Sequence, residues 1–228
     1  MPRRSDVPGA RDSSRKEKPV DPAALRATIE RALNREDPDG EVIPMLERLQ
    51  RIAQEGSDHR RFADRRLAEL LLEAEPWRAA IHLRRLIEQG GENDDALWAL
   101  MGLAQALLGN HRFAAGAYRR ALSIDPGNPW YAHNLGHLLD VALDRPHDAL
   151  RHLELAHKRV PDATAITCSL VHVLWRLGRP VDARRELRPL LARHGHDPDV
   201  WALAAQLDRD DAEAARKKKR SASRRKKP

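Results

Sequence analysis

Residues Ala96–Asn128 read ALWALMGLAQALLGNHRFAAGAYRRALSIDPGN, and the spacing of a few residues within them decides the fold. Trp98 and Gly102 lie one helical turn apart, as do Ala114 and Tyr118, with Ala121 a turn further on and Pro126 closing the stretch. A large residue followed by a small one, then Ala, aromatic, Ala and Pro, predicts two helices that approach closely and stop at the proline. Gly109-Asn110 supplies the break between them.

The same spacing recurs downstream. Ala132, Gly136, Ala149, Leu153, Ala156 and Pro161 repeat it with one residue more in the middle. Thr167, Val171, Ala183, Leu187, Leu190 and Gly195 repeat it again, more weakly, and Trp201 and Ala205 repeat the opening pair. Gly102, Gly136, Val171 and Ala205 are separated by 34, 35 and 34 residues. A fixed period of this length is the mark of a repeat architecture.

The landmarks resemble those of the tetratricopeptide repeat (TPR), over about residues 60–215. Upstream the pattern fades: Ala79, Leu83 and Leu86 keep the second-helix spacing, but Leu67 occupies the place of the small residue and Ala68 is one step off. The expected fold is therefore all-α, a TPR-like α-solenoid of about five antiparallel helix pairs with a C-terminal capping helix. The division we expect is a disordered tail (1–20), a degenerate N-terminal pair (21–58), the repeats and capping helix (59–215) and a disordered basic tail (216–228).

Start and stop signals agree with this. Asp21-Pro22, Asn128-Pro129 and Asp197-Pro198 each pair an N-cap acceptor with a proline, whose missing N–H costs nothing at the first helical position. Pro146 and Pro180 begin further helices, and no alternating β-branched run suggests a strand.

Composition restricts function. Cys168 is the one cysteine, which excludes an intrachain disulfide framework and fits a reducing compartment. The N-terminal stretch lacks the apolar core of a signal peptide, and no later stretch is apolar enough to span a membrane, so a cytoplasmic location is expected. The net charge of +7 is unevenly spread: nine of the 41 Lys and Arg fall in 216–228, and residues 21–215 carry 26 basic against 31 acidic residues. The body is thus mildly acidic and the ends are basic.

The resemblance implies that the first helices of successive pairs line a concave groove that binds a peptide or helix of a partner protein. In the register of Gly102 and Gly136, one first helix presents Ala96, Ala99, Leu103 and Ala106, and the next presents Trp130, His133, Asn134, His137 and Asp140. The third presents Cys168, Ser169, His172, Trp175 and Arg176, and the cap adds Asp199, Ala202 and Gln206. Trp130, His133, Asn134, His137, Asp140, His172, Trp175 and Arg176 are the candidate contact residues, the tryptophans as apolar anchors and the polar groups for orientation. The alternative for each is packing between neighbouring helices. The TPR clamp that grips the C-terminal carboxylate of chaperones is not expected: Asn134 matches its asparagine, but Ala165 and Ser169 stand where Lys and Arg belong.

His133 and His137, four apart, have the spacing of two imidazoles on one metal ion, with His172 a conceivable third ligand. The HExxH pattern is absent, Leu135 and Gly136 are already explained by the repeat, and neither metal nor cofactor is expected. GxSxG, GxxxxGK[ST] and GxGxxG are absent too, and Cys168 beside His172 is no nucleophile constellation, so the chain is read as no enzyme. The basic run Arg216, Lys217, Lys218, Lys219, Arg220, Arg224, Arg225, Lys226 and Lys227 supports a second function, binding nucleic acid through phosphate while the solenoid recruits a protein. Its plain alternative is a solubilising end.

Overall fold

The computed structural model describes residues 20–34 and 39–225. They form eleven α-helices and a π-helical turn: α1 (Pro22–Leu33), α2 (Asp39–Ile52), α3 (Asp58–Leu71), α4 (Pro76–Leu86), the turn Ile87–Gly91, α5 (Asp95–Leu107), α6 (His111–Ile124), α7 (Pro129–Val141), α8 (Pro146–Arg159), α9 (Thr164–Arg176), α10 (Pro180–His194) and α11 (Pro198–Arg225). Among the described residues there is no strand. Five pairs and a terminal helix match the all-α, TPR-like solenoid expected.

Local chemistry sets the helix ends. The Asp21 carboxylate accepts from the backbone N–H groups of Ala23 and Ala24, and the Asn128 side chain accepts from those of Trp130 and Tyr131. Asp197 does the same for Asp199 at 2.9 Å. After α5 and α9 the chain reverses through Gly109 (φ 76°) and Gly178 (φ 70°), a conformation glycine adopts without steric cost. The equivalent residue after α7 is Asp144 (φ 51°), which takes the left-handed conformation despite its side chain. Its carboxylate is held there by Arg176 of α9.

The chain divides into two compact units, Met1–Ala63 and Asp64–Pro228, with the division inside α3. In the first unit α1 packs on α2, with Ile29, Leu46 and Leu49 fully buried, and the Arg26 guanidinium lies 4.4 Å from the centre of the Phe62 ring.

In the second unit the repeat landmarks form the core. Ala114, Tyr118, Ala121, Ala149, Leu153, Ala156, Val171, Ala183 and Leu187 are all buried. The small residues act by letting the paired helices close. A Cβ at Gly102 would lie 2.8 Å from the Tyr118 ring, and one at Gly136 would lie 2.7 Å from Leu153 Cγ. A continuous apolar cluster runs from Ala114 of α6 to Leu207 of α11.

The tail beyond Ala215 departs from expectation. Instead of ending there, α11 continues through Arg225, reaching 28 residues where α5, α7 and α9 each have 13. Residues 212–220 are Ala, Glu, Lys and Arg, all strong helix formers, and no glycine or proline interrupts them. Charge alone does not stop a helix, and the basic residues near its C-terminus favour the helix dipole. The expected N-terminal tail, apart from Val20, together with Lys226 and Lys227, lies outside the described residues.

Candidate partner-binding face

The first helices α7 and α9 lie side by side, and their shared face carries most of the candidate residues. Trp130 begins it, 50% exposed, with its ring edge-on to His133 at 6.3 Å between centroids. His133 is part-buried and His137 is exposed, with the two rings 6.0 Å apart. The Ser169 hydroxyl of α9 stands between them, 3.1 Å from His133 Nε2 and 3.4 Å from His137 Nδ1. With a single proton to give, that hydroxyl donates to at most one of the two rings.

Both imidazoles stay neutral below the usual pH. Burial holds His133 below the ordinary imidazole pKa, and a charge on His137 would lower it further. For His137 burial again dominates, with Asp140 pulling upward and His172 downward. Asn134 hydrogen-bonds the hydroxyl of Tyr118, whose pKa burial raises to about 12, so its side chain is committed partly to the α5–α6 pair.

Asp140 is corrected by the structure. Expected to meet a partner, it is only 2% exposed and bridges α7 to α9. One carboxylate oxygen lies 2.6 Å from His172 Nδ1, and the other accepts from Arg176 Nη1 at 2.7 Å. Arg176 Nη1 also donates to the Asp140 backbone carbonyl at 2.7 Å. Burying a carboxylate is tolerated when it is hydrogen-bonded and paired with a cation, here Arg176. The register held the signal: Asp140 lies four residues after Gly136, on the side of α7 that turns inward.

Trp175 is likewise drawn away from an open groove. Its indole N–H donates to Asp210 of α11 at 3.1 Å, and the Arg184 guanidinium lies 5.6 Å from its ring centre. Arg184 pairs in turn with Asp211. The eight candidates thus fall into an open group, Trp130, His133, Asn134 and His137 with Ser169, and a group tied down by Asp140 or by α11.

Cys168 is half-buried, and burial pushes its thiol pKa up to about 11, the reverse of what a nucleophile requires. Among the described residues no three His, Cys, Asp or Glu side chains are placed to hold a metal ion. Nor is any helix among them long and apolar enough to cross a membrane. Arg216 and Lys217 are exposed on α11, where Lys217 pairs with Glu213 at 2.7 Å; residues 218, 219, 220, 224 and 225 follow on the same helix.

A second buried cluster was not anticipated from the sequence. Asp64 of α3, fully buried, takes His82 Nδ1 at 2.8 Å and Arg85 Nη1 at 2.7 Å, both from α4. It ties α3 to α4 with the same Asp, His and Arg types that tie α7 to α9.

A family model described as tetratricopeptide repeat matches residues 140–207. No curated protein matches the chain. Among solved structures the chain is similar to MamA 41-end from Desulfovibrio magneticus RS-1, with a TM-score of 0.68 and 12% identity over 78% of this chain and 97% of that one. It is also similar to a MamA RS-1 double mutant, with a TM-score of 0.66 and 14% identity over 82% and 96%. A third is YrrB, described as a TPR protein with an unusual peptide-binding site, with a TM-score of 0.62 and 11% identity over 80% and 88%. At such identities the likeness is one of fold.

Proposed function

We propose that this chain, whose residues 140–207 match a tetratricopeptide-repeat model, is a non-enzymatic interaction scaffold that receives a peptide or helix of a partner protein on the face of α7 and α9. The observation that carries this is Trp130. A tryptophan left half exposed beside a hydrogen-bonded row of polar side chains has the make-up of an interface anchor, with apolar area for affinity and polar groups for register. Peptide binding by the structural neighbour YrrB supports the class of ligand.

In this scheme a partner's apolar side chain covers the Trp130 indole, while its polar groups meet His133, Asn134 and His137. Asp140, His172 and Arg176 hold α7 against α9 and so keep that row in place. Trp175 ties the middle of α11 to α9.

A photo-crosslinking amino acid placed at Ser169 tests the proposal. In host lysate it should give a discrete adduct that disappears when Trp130 is changed to Ala. Adducts unaffected by Trp130→Ala would place binding elsewhere.

A further inference from the structure

A second surface, formed by α4, α5 and α6, takes no part in the function proposed above. Ile87, Trp98, Met101, Phe113, Gly116 and Ala117 line a trough of about 630 Å³, within the size range of ligand sites. Phe113 at its edge is 76% exposed.

Gly116 opens this trough. A glycine inside a helix is less favourable than alanine, and close packing is the usual reason to keep one. Here a Cβ would meet nothing within 4 Å, whereas at Gly102 and Gly136 it would collide with the paired helix. Packing within the chain therefore does not call for Gly116. At the equivalent repeat positions α8 and α10 carry Arg151 and Arg185, and Phe113 is matched by Asp148 and Asp182. Neither the glycine nor the phenylalanine that shapes the trough recurs in the next two pairs.

Charge specifies the occupant. Arg84 on the rim is neutralised by Glu88 at 2.7 Å. Arg112, which lines the trough, makes no ion pair among the described residues. A trough with an apolar floor between helices accepts a helix, and the unpaired Arg112 at its edge selects a carboxylate. We propose that this trough docks an amphipathic helix of a partner protein, its apolar stripe on Trp98, Met101 and Phe113 and an acidic residue beside Arg112.

The probe is a fluorescein-labelled amphipathic Leu/Glu helical peptide, with a Leu/Lys twin, titrated by anisotropy against the full chain. The Leu/Glu peptide should bind at least about tenfold more tightly than its twin, a difference typical of one good interface contact. Gly116→Arg, which supplies the side chain found at this place in the next pair, should weaken binding at least about tenfold with an unchanged circular-dichroism spectrum. Gly116→Leu should do the same, and Arg112→Glu should reverse the preference between the peptides. Trp130→Ala should leave binding intact, so the test stands or falls apart from the α7–α9 face. The proposal is overturned if the full chain fails to bind the Leu/Glu peptide, if both Gly116 variants bind it as the parent does, or if Trp130→Ala removes the binding.

Discussion

Gly136 of α7 lies so close to Leu153 of α8 that a Cβ added to the glycine would stand 2.7 Å from Leu153 Cγ. Gly136→Ala should therefore cost roughly 1–3 kcal/mol of stability, the usual penalty for overpacking a closed core. Gly116→Ala should do the reverse and stabilise by roughly 0.5–1 kcal/mol, since the new methyl meets no atom and helix propensity improves. Urea denaturation of the two variants beside the parent measures both, and equal shifts of the same sign would contradict the packing described.

Asp140 is the polar bond between α7 and α9. Replacing it by Ala leaves His172 and Arg176 without their shared partner and should cost roughly 1–3 kcal/mol, less than for a fully buried pair because both side chains reach solvent. A double-mutant cycle with Arg176→Ala should show clear coupling between the two positions. Additive losses would mean that the pair contributes little.

The His133–Ser169–His137 row implies a pH dependence of stability. Both imidazoles have folded pKa values below the unfolded one, so between those values the unfolded chain binds more protons. Their contribution is complete above the unfolded value, about 6.5, and is lost as pH falls through the folded values. The denaturation midpoint should drop between about pH 7.5 and 5.5, and the drop should shrink in His133→Gln/His137→Gln.

Cys168 should be sluggish toward electrophiles. With its thiol raised to about 11, the thiolate fraction at pH 8 is about a hundredfold below that of a free cysteine, and alkylation by iodoacetamide should slow by a similar factor. Brisk modification under native conditions would show that the α9 environment opens.

The repeat was legible in the sequence because its landmarks are steric. Gly102, Gly136 and Val171 sit where a second helix presses, and Tyr118, Leu153 and Leu187 are what presses there. The face of α7 was legible in the same register, which brings Trp130, His133 and His137 to one side. Its electrostatics were harder to read. Whether Asp140 meets a partner or a neighbouring helix depends on His172 and Arg176, 32 and 36 residues away, and no local pattern encodes that pairing. The length of α11 escaped for another reason: a run of Lys and Arg has the composition of a solvated tail and the propensity of a helix, and only the second determines backbone geometry.

Each helix from α4 onward touches its neighbours in the chain and at most the next helix beyond them. A globular core gives way all at once, but a row of this kind has no single keystone. Stretched between its ends, it should surrender one helix pair at a time in a staircase of small force steps, and on release re-form from whichever pair is still folded. The protruding half of α11 is the natural handle for such a pull, which makes the chain a spring as well as a surface.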